Sequence, residues 1–429
     1  MVNSAARGVQ HVGRILRNST FFYPRTDEDR NTRLLYLSTA MMGVPFGGIM
    51  SFLPVFMARL GASETLIGLL SALPALLGVL TFIPGAALSE RYSDQVRVRV
   101  TASRLYRLAY LACALLPFVV PQQWLPIALV AAMTYTVIPN AAGMPAWTTV
   151  MTQAISPRRR AQLNSTRWAL LAVTSAVSSA AFGWMLDALV FPINYQVVFF
   201  ISFALSMLDP WFFARLKVPP IETVHLSRTR SIWARFAEYL RPIPKEKGFL
   251  RFLAVTVLYR VALNLPVPLF SIFWVNNLQA SDTLIGLRGT VGNGALVLGY
   301  LLWGRSANRV GHRQVLWWSA WGLALYPIAT ALAPTAGWLI PIAIIWGLTV
   351  SGLDVGLFDI MLATIPKQRQ PLFSAVWSMV AESAIFVGPL LGAVISRATG
   401  PGTALLIAGV AQIVATLPFF VLPRHDPAP

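Results

Sequence analysis

Long apolar stretches alternate with short polar breaks along almost the whole chain. A helix needs about 20 apolar residues to cross a bilayer, and twelve stretches meet that length. Six lie near residues 34–58, 64–88, 102–120, 124–149, 167–190 and 194–214. Six more lie near 250–275, 282–303, 314–333, 337–364, 372–396 and 402–422. The pattern predicts an all-α membrane protein with twelve transmembrane helices. It divides into a segment 1–33, a six-helix bundle 34–214, a polar linker 215–249, a second bundle 250–423 and a tail 424–429.

The second half repeats the first. "ASETLIGL" at 62–69 returns as "ASDTLIGL" at 280–287, an offset of 218 residues. Without a gap, Leu60 then meets Leu278, Leu80 meets Leu298 and Arg91 meets Arg309. A second register, offset by 209, aligns Pro157 with Pro366, Arg160 with Arg369, Ser165 with Ser374, Trp168 with Trp377, and Gly183 with Gly392. Because six spans is an even number, both halves start on the same side. They are parallel repeats about an axis along the membrane normal. In each copy of the phrase, the serine and the acid sit where a helix N-cap belongs.

Charge supplies an orientation. If every span crosses, thirty of the 34 lysines and arginines fall on one side, and only Arg59 and Arg397 sit in the opposite turns. By the positive-inside rule the basic side, with both termini, is cytoplasmic. The net charge of +18 therefore reads as a topology signal, with anionic lipid as its partner and no nucleic acid. Hydrophobic residues make up 56% and charged residues 12%, against about a quarter charged in soluble domains. The one cysteine, Cys113, excludes an intrachain disulfide, and His11, His225, His312 and His425 have no metal-ligand spacing. No metal or cofactor is expected. No nucleophile, base and orienting group occur together, so an enzyme is not expected. Residues 1–33 lack a signal-peptide pattern. Their "RGVQHVGRILRNSTFF" reads equally as an amphipathic surface helix or a flexible basic tail, and "SIWARFAEYL" at 231–240 reads as an amphipathic helix in the linker.

The loop after the eighth stretch, "GRSANRVGHR", places Gly304, Arg309, Gly311 and Arg313 as in the signature loop of the major facilitator superfamily, with Asn308 in place of the usual acid. The first-half loop "AALSERYSDQ" keeps the acid and arginine as Glu90 and Arg91, but has Ala86, Ser93 and Gln95 where glycines and a basic residue are usual. Two such loops in a six-plus-six chain make the sequence resemble that family over about residues 34–423. The resemblance implies a monomeric transporter whose loops act as cytoplasmic gates. Span five lacks the glycine-proline signature of the family's proton-coupled drug exporters; "GPLLG" stands instead in span eleven.

Ionisable groups inside spans are expensive and mark function by default. Arg260, Asp354 and Glu382 each fall roughly 15 Å from the basic side at about 1.5 Å per residue. One cation with two carboxylates leaves one negative charge, which a single proton would neutralise. The set reads as a proton-coupling site, a substrate site or a static ion network. Asp187 and Arg288 lie nearer the other face, where snorkelling accounts for them, with Arg288 also placed to guard the outer mouth. Glycines and prolines interrupt spans one, four, seven and ten, pointing to the pathway. Its expected lining residues are Tyr135, Asn140, Asn264 and Trp346, with Phe52 as an apolar contact. Together these readings predict a secondary transporter of a small solute in a bacterial inner membrane, coupled to protons. The alternatives are an uncoupled facilitator and a non-transporting scaffold or receptor.

Overall fold

The structure, a computed structural model, describes residues 24–220, 244, 246–364 and 370–421. The two expected amphipathic helices fall outside the described residues. The spans are α1 (Asp27–Arg59), α2 (Glu64–Ser89), α3 (Gln95–Val119), α4 (Leu125–Ala154), α5 (Pro157–Ala188) and α6 (Ile193–Phe213). Then come α7 (Lys247–Asn277), α8 (Asp282–Val310), α9 (His312–Ala331), α10 (Leu339–Thr364), α11 (Gln370–Thr399) and α12 (Pro401–Phe420). Eleven of these contain stretches long and apolar enough to cross a membrane. The remaining one, α9, opens with the polar "HRQ" and carries Trp317, Trp318 and Trp321. It packs between α10 and α12 and completes the twelve.

Local chemistry sets the helix ends. Thr26 caps α1, accepting from the Asp29 N–H at 3.1 Å, and Asp27, Glu28 and Asp29 favour the positive end of the helix. α1 therefore begins at residue 27, ahead of the expected 34, and its first turn is tied to α5 by Asp29–Arg159 at 2.8 Å. In the doubled phrase both serines act as caps: Ser63 accepts from Leu66 N–H and Ser281 from Leu284 N–H. Gly311 has φ of 89° between α8 and α9, a left-handed conformation that costs glycine little.

Packing makes the repeat visible. α1 packs on α5 as α7 does on α11, α2 on α4 as α8 does on α10, and α3 on α4 and α6 as α9 does on α10 and α12. The halves meet through α5 with α8 and α2 with α11, which this symmetry exchanges. The chain turns carrying the clustered arginines lie on one face, called here the basic face.

The expected interruptions appear in three helices and not in the fourth. α1 contains a π-helical stretch at Phe46–Met50, α4 turns between Tyr135 and Val137, and α7 breaks between Asn264 and Val267. α10, however, is one continuous helix. Its glycines are contact points, not bends: Gly347 lies against Gly292 and Ala295, Gly352 against Ser319 and Trp303, and Gly356 against Leu316. Phe52 is fully buried and does not line a pathway. Arg107, one of the thirty basic residues that the sequence assigns to the basic side, lies inside α3 with 0% exposure.

Candidate transport site

Arg260 projects from α7 and lies over the Trp377 ring of α11, 4.6 Å from its centroid. Its Nε is buried without a hydrogen-bond partner. Asp354 on α10 and Glu382 on α11 both act electrostatically on it. Among the described residues, none of the five ion pairs includes any of the three. Tyr300 on α8 donates to Asp354 Oδ2 at 2.8 Å. Asp354 is nevertheless exposed and Glu382 half-exposed. Polar groups from four helices, α7, α8, α10 and α11, converge here, as intramembrane charges that serve a function do. The structure thus brings together the three charges singled out in the sequence and adds Tyr300 and Trp377.

The expected lining residues do not join them. Asn264 Nδ2 donates to the Arg260 carbonyl at 2.7 Å, so its amide satisfies the break in its own helix. Trp346 packs against Gly292 and Arg288. Tyr135 is exposed beside the turn in α4, and Asn140 is half-buried one turn before Gly143. Of the gate loops, Glu90, Arg91, Gly304 and Arg309 are exposed at the basic face. Arg313 donates to the Phe420 carbonyl at 3.3 Å, within its own half. The Asn308 side chain is outside the described residues.

Arg288 does not snorkel. Its guanidinium is ringed by Trp274, Tyr326 and Trp346 at 4.6, 5.4 and 5.5 Å, a cation–π cage, and it donates to the Tyr326 hydroxyl. Asp187 does not snorkel either: it crosses from α5 to accept the Asp282 and Thr283 N–H groups at 2.9 and 2.8 Å, capping α8 from the other half.

That cap belongs to a lock at the face opposite the basic one. Arg59 pairs with Asp282 at 2.9 Å and donates to the Ala280 carbonyl at 3.0 Å. Tyr195 donates to the same carboxylate at 2.7 Å. At the symmetry-related place, Ser396 donates to Glu64 at 3.5 Å and Arg397 to Thr65. The glycines of the phrase let the halves close: Gly286 lies against Ser179 and Gly183 of α5, and Gly68 against Pro389 of α11. The duplicated phrase therefore has a structural reason. In each copy the serine caps a helix, the acid-threonine pair reaches the other half, and the glycine permits close approach. Deeper contacts, Ser179 to the Gly286 carbonyl and Thr290 to the Ala176 carbonyl, continue the seam. The polar contacts between the halves thus gather at the lock and along the seam below it. Among the described residues, the side-chain hydrogen bonds and ion pairs that join the halves lie at the lock and along this seam, and none lies at the turns of the basic face.

A third charged cluster, not foreseen, sits within the first bundle. Arg107 on α3 pairs with Asp209 on α6, and Ser38 and Ser103 complete the set. Among the described residues, no group of three or more His, Cys, Asp or Glu side chains is placed to hold a metal ion.

Two six-helix repeats that meet through α5 with α8 and α2 with α11 have the architecture of a membrane transporter. The Major Facilitator Superfamily profile matches residues 35–267 and 252–429. The chain belongs to the major facilitator superfamily, a family of transporters and not of enzymes. Among solved structures, it is similar to a POT family transporter in complex with 5-aminolevulinic acid, at 14% identity and a TM-score of 0.74, covering 91% of this chain and 96% of that one. It is also similar to a mutant form of the nucleoside transporter NupG, at 13% identity and a TM-score of 0.68, covering 92% and 100%. A bacterial homolog of the human lysosomal transporter Spinster, inward-facing and unoccupied, matches at 14% identity and a TM-score of 0.65, covering 93% and 96%. No curated protein matches the sequence.

Proposed function

We propose that this transporter is a secondary active carrier that couples the passage of a small solute to protons. Its basic face lies in the cytoplasm of a bacterial cell, and its membrane is the inner one. The observation that carries the coupling is the unbalanced set in the second bundle. Asp354 and Glu382 both act on Arg260, and neither forms an ion pair with it. One cation against two carboxylates leaves a net negative charge within the spans, and one proton removes it. A static network would be expected to close its ion pairs, as Arg107 and Asp209 do.

The lock supplies the other half of the cycle. With Arg59–Asp282 made, the site opens to the basic face. Transfer to the other state breaks this pair and brings the basic ends together, where the Glu90–Arg91 and Gly304–Arg313 loops stand. The test has two stages. A thermal-shift screen of the purified protein against a metabolite library identifies the solute. Uptake into proteoliposomes is then measured with and without a pH gradient. Accumulation driven by the gradient supports coupling. Flux that only equilibrates makes the protein a facilitator, and absence of any flux makes it a scaffold.

A further inference from the structure

The first bundle carries more positive charge near its basic end than its own carboxylates offset. Arg107 uses Asp209. Arg99 on α3 and Arg167 on α5 have no carboxylate in ion-pair contact among the described residues. Arg99 is only 7% exposed, and its Nη1 has no hydrogen-bond partner. It lies beside Gly143 of α4. Arg167 lies over Trp147 of α4, 5.0 Å from the ring centroid. Its Nε donates to Thr39 of α1 at 2.8 Å, and its Nη1 to Asn164 at 3.4 Å. Burial acts most strongly against the charge of Arg167; Asp209 favours that charge and, to a smaller extent, Arg99 opposes it. Two guanidinium groups that repel each other in a desolvated setting, one with an unused donor, are costly to keep.

We propose that Arg167 and Arg99, with Trp147 beneath, form an anion subsite of the transport pathway, and that the solute carries a carboxylate or a phosphate. The placement fits this role. Arg167 is held by α1 and α4, two of the interrupted helices, and is partly exposed. Counting from the basic ends, Arg167 lies ten residues into α5 and Glu382 twelve into α11, so both are roughly 15–18 Å in at 1.5 Å per residue. The first bundle thus offers a cationic wall and the second an acidic one at the same depth. An anionic group on the first and a proton on the second travel as a neutral load. Guanidinium suits this task because its fork meets carboxylate and phosphate oxygens in pairs.

The inference rests on the transporter reading, but its test needs no pH gradient. Full-length protein in detergent is titrated with sodium succinate and, separately, with inorganic phosphate. Sodium chloride at equal ionic strength and glucose serve as controls, and thermal unfolding and tryptophan fluorescence are the readouts. Wild type is expected to show a saturable shift with succinate or phosphate beyond the chloride control; which of the two acts identifies the anion. Arg167→Gln should weaken the apparent affinity about tenfold or more, in line with loss of a charged hydrogen bond. Arg167→Lys should weaken it less, and Arg251→Gln at the exposed basic end of α7 should leave it unchanged. If Arg167→Gln does not fold, Arg99→Gln is held to the same tenfold criterion. No saturable response in wild type, or equal responses in wild type and the glutamine variant, overturns the subsite. A saturable response in a protein that shows no gradient-driven uptake keeps the subsite and removes the coupling.

Discussion

Arg107 and Arg260 occupy comparable places in the two bundles, twelve and thirteen residues in from the basic ends of α3 and α7. Their surroundings differ. Arg107 is sealed at 0% exposure, paired with Asp209 and braced by two serines. Arg260 has no ion pair among the described residues, faces two carboxylates and is partly exposed, although the Nε of each arginine is buried without a hydrogen-bond partner. The same residue types thus do different work. A closed pair with every charge answered holds helices together, whereas an open set with one charge too many can take up a proton or a ligand.

The contrast predicts opposite phenotypes. The largest expected effect is on Asp209→Asn, which leaves Arg107 buried without a counter-ion. Breaking such a pair costs about 3–5 kcal/mol, read as a sharp fall in the unfolding temperature in detergent. Asp354→Asn and Glu382→Gln should instead unfold within about 1 kcal/mol of wild type. They should lose gradient-driven accumulation while retaining exchange of solute. Equal destabilisation by Asp209→Asn and Asp354→Asn would erase the distinction between the two clusters.

A smaller effect is expected at the lock. Asp282 is almost buried and Arg59 about a quarter exposed, at 5% and 28% of their side chains. Arg59→Gln should therefore cost the closed state roughly 1–2 kcal/mol, between exposed and buried pairs. Spin labels at Gln122→Cys and Thr335→Cys, on the turns of the lock face, should then report a larger population of long distances. The smallest effect on transport is expected of Tyr300→Phe, which removes one hydrogen bond to Asp354 and leaves the carboxylate in place. Gradient-driven uptake should fall less than in Asp354→Asn.

What the sequence revealed follows from what is written locally. Spans, repeat and basic asymmetry depend on composition and spacing, and all are read along one strand of text. Arg260, Asp354 and Glu382 were visible because a charge in an apolar stretch is rare. Arg107 was hidden by the arginines around it, since a residue in "VRVRVTASRLYR" looks like part of a basic loop until α3 is seen to begin at Gln95. The lock was hidden for a different reason. Arg59 and Asp282 are 223 positions apart, and nothing local says which turn faces which. The α10 glycines show a further ambiguity, because a glycine that bends a helix and one that admits a neighbour look alike in sequence. Asn264 sits at a helix break, as expected, but its amide is spent on the backbone there.

The most direct test does not require the solute. The distance between labels at Gln122→Cys and Thr335→Cys is measured across a pH series, in the wild-type background and in the Asp354→Asn, Glu382→Gln double variant. If protonation of these carboxylates drives the exchange between states, the wild-type distance distribution shifts with pH and that of the double variant does not. A distribution insensitive to pH in the wild type, or an equal shift in both proteins, contradicts the assignment of coupling to this site.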